Sequence, residues 1–402
     1  MFQCFGGDVA GRVVQNGIVN GGVAVVAGNF HVVDGDKAGA RVFQAASHQF
    51  GQFAHDLFFY TVLPGIAAMV FVHMSFLFYG IRRHSAAFKS GRIIAQLPYN
   101  ARFYSTGRLK KREMKILFAV LYLIQLLPFS VIGAIGRMIG ILSYYLVAPR
   151  RRVGQINLAK CFPEWDEKRR TAVLKEHFKH MGRLLAEYGL YWYGDAGRLK
   201  KLVRYRDKHF IDDALAAGEK VILLYPHFTA FELAVYALNQ DVPLISMYSH
   251  QKNAALDEQI LKGRHRYNNV FLIGRNEGLR TIIKQIKASN APFLYLPDQD
   301  FGRKDSIFVR FFGIQTATIT GLSRIAALTR AKVIPAIPTR LHDGTVELRF
   351  YPAWDDFPTD NPEADAQTMN DFIEARIREM PEQYYWLHKR FKTRPDGEAE
   401  FY

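Results

Sequence analysis

Between residues 221 and 351 the chain sets out six short β-rich runs: VILLY (221–225), PLISMY (243–248), VFLIG (270–274), PFLYL (292–296), KVIPAIP (332–338) and TVELRFY (345–351). Helical stretches separate most of them, such as 276–288 with Leu279, Ile282, Ile283 and Ile286 on one face. No other feature narrows the fold as much. A strand followed by a crossover helix re-enters the sheet in the same direction, so the pattern predicts a mostly parallel sheet with helices on both faces. Upstream, Asp166 is placed to cap a helix whose Leu174, Phe178, Met181, Leu185 and Tyr188 fall at 4-3-4-3 spacing, the stripe of an ordinary core helix. The expected fold is α/β, a mostly parallel central sheet flanked by helices, behind an N-terminal membrane-anchoring helical segment.

That anchor is read from the texture ahead of residue 153. Residues 57–80 hold no Asp, Glu, Lys or Arg, and a second uncharged run covers 116–136, with Pro128 placed to kink it; both are long enough to cross a bilayer. Basic clusters flank the second run, RLKKRE around Lys110 and Arg150-Arg151-Arg152 after the apolar stretch resumes to 148. We assign 114–152 as the anchor, either spanning the membrane or lying in its interface with Arg137 reaching to headgroups, and 153–402 as the α/β domain. Residues 1–113 read as an atypical extension, because Met114-Lys115 followed by a long apolar run has the form of a membrane protein's own beginning. The triple Arg suits the cytoplasmic side of an anionic bilayer.

Composition excludes several classes. With 49% hydrophobic and 22% charged residues the chain is neither disordered nor a coiled-coil rod. Its two cysteines, Cys4 and Cys161, exclude a disulfide framework and a cysteine zinc cluster. Lys and Arg number 53 against 37 Asp and Glu, a net charge of +16 that favours an anionic partner. Nucleic acid is not expected, since no motif that reads it is present.

In parallel sheets chemistry gathers at the carboxyl ends of strands. The first run leads into Pro226-His227-Phe228-Thr229-Ala230-Phe231-Glu232. On a continuous helix positions i and i+5 do not share a face, but His227 on the turn and Glu232 in the first helical turn can meet. A carboxylate on one imidazole nitrogen fixes the tautomer and leaves the other to take a proton from a hydroxyl. A surface pair is the plain alternative. The run at 292–296 likewise leads into Pro297-Asp298-Gln299-Asp300, where helix capping or a magnesium site are alternatives; no third ligand is evident, so no metal is expected. Arg275 stands between a strand and a helix start, where a cation meets anionic ligands, with a surface ion pair as the plain alternative.

These residues carry a resemblance. His227-x4-Glu232, Gly274-Arg275, LPDQD at 296–300, FFG at 311–313 followed by Ala317-Thr318, and VIPAIP at 333–338 resemble the blocks of the glycerolipid acyltransferase superfamily. Within it, INLAKCFPEWDEKRR (156–170) and QYYWLHKRFKTRP (383–395) are similar to the lipid A late acyltransferases, close to the lauroyl enzyme of Gram-negative bacteria. The resemblance covers roughly 114–402. The family usually has Asp where this chain has Glu232, a variant of the lipid A branch that keeps the carboxylate.

The resemblance implies transfer of a fatty acyl chain from acyl carrier protein to a 3-hydroxyacyl group of a Kdo-bearing lipid A precursor. His227 is then the general base, with Glu232 orienting its imidazole; Arg275 contacts a phosphate or the oxyanion, and Asp298, Asp300 and Arg310 line the acceptor site. No cofactor is expected beyond the acyl thioester. The implied location is the bacterial inner membrane, with the catalytic domain facing the cytoplasm. Lys389, Arg390, Lys392 and Arg394, interleaved with Trp386 and Phe391, read as an interfacial patch or as a solvated basic tail. Two other functions fit parts of the pattern: a phospholipid-forming acyltransferase with a glycerol phosphate acceptor, and a non-catalytic membrane module that holds anionic lipid.

Overall fold

The computed structural model describes residues 111–402 except 268, 269, 275, 276 and 305. The apolar run at 57–80, the extension up to residue 110 and Arg275 lie outside the described residues. Among the described residues nine strands are present: β1 (Val203–Arg206), β2 (Val221–Leu224), β3 (Leu244–Tyr248), β4 (Val270–Gly274), β5 (Phe293–Tyr295), β6 (Ser306–Phe311), β7 (Ile314–Ile319), β8 (Lys332–Arg340) and β9 (Val346–Phe350). Seven form one sheet in the order β1-β9-β8-β2-β5-β3-β4, parallel throughout except for the antiparallel β8–β9 pair.

All six expected runs are strands of this sheet. β1 was not anticipated because VRYR is short and half polar, and β6–β7 was read as a motif rather than a hairpin. The hairpin turns tightly at Phe312 and Gly313, with φ of 52° and 73°. Two-residue hairpin turns need positive φ. Glycine adopts it readily, while the Phe312 ring is held there against Phe162 and Trp386.

Eleven α-helices are described: α1 (Lys111–Gln125), α2 (Phe129–Leu146), α3 (Ala148–Cys161), α4 (Glu167–Tyr193), α5 (Ala196–Lys200), α6 (His209–Ala216), α7 (Phe231–Asp241), α8 (Ala254–Arg264), α9 (Gly278–Ala288), α10 (Gly321–Thr329) and α11 (Pro362–Glu379). Asp166 caps α4 through the Arg169 N–H, and the predicted stripe from Leu174 to Tyr188 is buried. From β2 through α7 to β3 and α8 to β4 the chain moves one way across the sheet. From β4 through α9 to β5, and on through α10 to β8, it moves back. Right-handed crossovers therefore put α7 and α8 on one face and α9 and α10 on the other. The carboxyl ends of the adjacent strands β2 and β5 flank the crevice where the direction changes.

The apolar stretch 116–136 is not one helix. α1 ends at Gln125 and α2 starts after Pro128, which has no N–H to continue a helix and whose ring would clash with the preceding turn. Arg198 binds the carbonyls of Gln125 and Leu127 and so satisfies the exposed end of α1. Met114 is buried within α1. α2 crosses α4 at glycines: a Cβ at Gly140 would sit 2.1 Å from the Phe178 carbonyl oxygen, and one at Gly182 2.2 Å from that of Gly136. The opposite side of α2 presents Met138, Ile141, Leu142 and Tyr145 to the exterior. With 18 residues and a mean hydropathy of 1.5, α2 is long and apolar enough to cross a membrane by length and composition. Arg137 faces Glu176 at 3.9 Å, and Arg150 is buried with its guanidinium on the Leu387 carbonyl. Of the Arg triplet only Arg152 is fully exposed.

Candidate active site

Register brings the site together. Leu224 of β2 pairs with Tyr295 of β5, so His227 and Asp298, three residues beyond each, leave neighbouring strands side by side. One carboxylate oxygen of Asp298 lies 2.7 Å from His227 Nδ1, and the other accepts the His227 backbone N–H at 2.9 Å. Asp298 is 2% exposed. Burial alone would raise its carboxyl pKa, but the charge and hydrogen bonds of His227 outweigh burial and hold it below the ordinary value. An ionised carboxylate only accepts, so Nδ1 carries a proton, and in the neutral imidazole Nε2 is the bare nitrogen.

Glu232 is not the partner of this imidazole. It sits in the first turn of α7, buried at 1% exposure, and its carboxylate takes the Arg264 guanidinium at 2.8 Å and the Tyr188 hydroxyl at 3.3 Å. The reason is directional: the His227 backbone N–H and Nδ1 both turn toward β5, whereas the start of α7 points Glu232 toward α4 and the end of α8. Burial opposes charge on Arg264, yet Glu232 and the surrounding tyrosines raise its pKa above the usual value. Arg264 was missed in sequence, where it is only a basic residue ending a helix.

Two other expected acceptor contacts are placed elsewhere. The Asp300 carboxylate receives the Thr393 N–H and hydroxyl, each at 2.8 Å, and the Gly302 N–H at 2.9 Å. It ties a loop to the carboxyl-terminal block instead of facing a ligand. Asp298 and Asp300 thus serve different partners and do not converge on a common point. Arg310 is exposed on β6 beside Glu363, Gln367 and Glu374, in a cleft separate from the one holding His227. The carboxyl-terminal block is interior rather than an interfacial patch: Trp386, Arg390 and Phe391 are 2%, 3% and 0% exposed. Arg390 and Arg394 are drawn in by the carbonyls of Ala317 and Gln315 on β7.

A cavity of about 120 Å³ opens beside His227. Its walls include Met181, Leu184, Val235, Met247, Leu294 and Leu296, with Tyr188, Glu232 and Arg264 as a polar side. Thr229 and Gln299 also line it, each 2% exposed and each with a side-chain oxygen that has no hydrogen-bond partner among the described residues. Buried polar atoms are normally paired, so these two mark where a polar group of a ligand fits. An apolar cleft that ends at a carboxylate-backed imidazole suits proton abstraction from a hydroxyl next to a bound hydrocarbon chain.

Comparison with known proteins agrees with this chemistry. The family model described as bacterial lipid A biosynthesis acyltransferase matches residues 105–393. A lipid A biosynthesis acyltransferase of Haemophilus influenzae is 31% identical over 311 residues, 76% of this chain and 96% of that protein. The lipid A biosynthesis lauroyltransferase of Escherichia coli is 33% identical over 280 residues, 69% of this chain and 90% of that protein. The palmitoleoyltransferase of the same organism is 32% identical over 285 residues, covering 70% and 92%. Nearly the whole length of each relative aligns with the segment that carries the His227–Asp298 pair, and this chain belongs to the bacterial lipid A biosynthesis acyltransferases.

Proposed function

We propose that the protein transfers a fatty acyl chain, lauroyl by its sequence blocks, from the thioester of acyl carrier protein to the hydroxyl of a 3-hydroxyacyl group on a Kdo-bearing lipid A precursor. The observation that carries this reading is the 2.7 Å contact of Asp298 with His227 Nδ1 beside an apolar cavity. His227 Nε2 takes the proton of the acceptor hydroxyl, and the alkoxide oxygen attacks the thioester carbon. The tetrahedral intermediate collapses with cleavage of the C–S bond, and the thiolate leaves with the proton from the imidazolium. Asp298 holds the productive tautomer and balances the imidazolium charge. The thioester carbonyl lies toward the Thr229 hydroxyl, which donates to the developing oxyanion, whereas the unpartnered Gln299 Oε1 only accepts and suits a hydroxyl or N–H of the substrate. Glu232 keeps Arg264 charged and in place on the cavity wall, where that cation stabilises anionic substrate. Arg275 remains a proposed contact for phosphate. No group beyond the thioester takes part.

A basic chain suits both proposed substrates, an acidic carrier and an anionic lipid. The outward apolar side of α2 supports attachment to the inner membrane, with the α/β domain on the cytoplasmic face where acyl carrier thioesters are found. Membership of the lipid A acyltransferases favours a lipid A precursor over a glycerol phosphate acceptor, and an enzyme over a non-catalytic lipid-binding module. Relatives named for lauroyl and palmitoleoyl transfer are almost equally similar, so chain length is settled by assay. Purified protein is given acyl carrier thioesters of several lengths with labelled precursor. The lauroyl thioester reacts fastest, and His227→Ala lowers the rate about 10²–10⁴-fold while the protein stays folded. Retention of more than about a tenth of the wild-type rate would mean that another group is the base.

A further inference from the structure

His388 is a buried titratable group that the transfer chemistry leaves unassigned. It is 4% exposed, its Nε2 accepts the Asp300 backbone N–H at 3.0 Å, and its Nδ1 has no partner among the described residues. Burial first, then Lys392, Arg390 and His227, push its pKa well below the ordinary value, in keeping with a ring nitrogen that serves as an acceptor.

Its setting gives it a task. The segment from Gln383 to Thr393 touches both halves of the His227–Asp298 pair. On the histidine side, Tyr385 N–H donates to the His227 carbonyl at 3.0 Å, Thr229 N–H donates to the Gln383 carbonyl at 2.8 Å, and Phe228 bridges Tyr384. On the aspartate side, the Tyr384 hydroxyl donates to the Asp298 carbonyl at 3.3 Å, His388 takes the Asp300 N–H, and Thr393 holds the Asp300 carboxylate. Residues 296–304 have no helix or strand of their own, so these bonds set where the Asp298 carboxylate points. The segment is fixed from behind. Asn157 Nδ2 donates to the carbonyls of Trp386 and His388 at 2.7 and 2.8 Å, and Arg390 donates to that of Ala317 at 2.8 Å.

We infer that His388 is a positioning residue, which through the Asp300 peptide holds the Asp298 carboxylate against His227. This rests on His227 being the general base of the proposed transfer. Without an acceptor at 388 the buried Asp300 N–H has no partner and the loop shifts to find one. Asp298 lies two residues away, and a displacement of about 1 Å in a reacting group can cost about 10²-fold in rate.

The test uses the full chain in detergent with lauroyl acyl carrier thioester and labelled precursor. His388→Leu, which removes the acceptor, lowers kcat about 10- to 100-fold with KM within about threefold, and the circular dichroism of the folded protein is kept. His388→Gln, whose Oε1 can accept the same N–H, recovers most of kcat. In an Asp298→Asn background, where the pair is already broken, His388→Leu costs less than about a further twofold. Wild-type kcat in His388→Leu, Gln no better than Leu, or an equal cost in both backgrounds would each overturn the inference. Should His388→Leu not fold, Thr393→Val against Thr393→Ser asks the same question through the Asp300 carboxylate: Val loses rate and Ser keeps it, and equal rates overturn the inference. His227→Ala at wild-type rate would instead sink the general-base reading, an outcome distinct from all of these.

Discussion

At the scale of residues, two carboxylates whose partners His227 and Arg264 line one cavity do different things. Asp298 orients an imidazole, whereas Glu232 faces a guanidinium, with side chains 2% and 12% exposed for Glu232 and Arg264. Removing one member of a buried pair leaves the other charged and unpaired, which costs about 3–5 kcal/mol. Glu232→Leu is therefore expected to destabilise the protein by about that amount. The double variant Glu232→Leu/Arg264→Met is expected to recover most of it, because no orphan charge remains. Denaturant titration of the two variants checks this. Equal stability of single and double variants would mean that the pair is not coupled, and that Glu232 is held by the Tyr188 hydroxyl instead.

At the scale of elements, α4 joins the α1–α2 segment to the sheet. Gly140 of α2 lies so close to α4 that any side chain must part the helices, whereas a Cβ at Gly133 would meet only the Arg183 guanidinium, at 3.0 Å. Overpacking typically costs about 1–3 kcal/mol, so Gly140→Val should expose the α1–α2 segment to protease and Gly133→Ala should not. Cleavage of both variants at the same rate would show that the crossing is loose. The same helix makes the protein acid-sensitive. His177 is 0% exposed and burial brings its pKa down to about 3; His180 is also lowered to about 3, by burial first and then by Arg340. A histidine lowered on folding binds its proton in the unfolded chain first. Its contribution to stability is complete above about pH 6.5 and is lost progressively as pH falls toward the folded value, at about 1.4 kcal/mol per pH unit for each group. His177→Leu should flatten the stability–pH slope between about pH 6 and 4 by close to one proton. An unchanged slope would place the acid sensitivity elsewhere.

At the scale of the whole molecule, most exposed large apolar residues among the described residues lie on the α1–α2 segment, including Tyr122, Leu123, Leu126, Met138, Leu142 and Tyr145. Apolar burial in a bilayer contributes about 25 cal/mol per Å² and is not screened by salt. Surface charges lose their reach in about 1 M salt, where the Debye length is about 3 Å. Membranes washed at that salt concentration should keep the protein, and detergent should release it. Recovery in the salt supernatant would mean that the cationic surface alone holds it. Two of the four basic residues of the carboxyl-terminal block could not serve such a surface, since Arg390 and Arg394 are buried against β7.

Periodicity is a local property, and what depended on it was legible in the sequence: the six strands from 221 to 351, the buried stripe of α4, the Asp166 cap and the placing of His227 and Asp298 at strand ends. The family could also be read there, because its blocks are contiguous stretches of chain. The partner of each site residue could not. His227 meets Asp298 because β5 is inserted beside β2, across 71 residues of sequence, and strand order is not written in any one segment. The same holds for Arg264 on Glu232, Thr393 on Asp300, and the break at Pro128 that Arg198 secures. Glu232 was the nearest carboxylate to His227 along the chain, but the direction of the first turn of α7 carried it toward Arg264. The residue types and their local geometry come from the sequence; which of them touch is decided by long-range packing of the sheet and by the carboxyl-terminal segment laid across its strand ends.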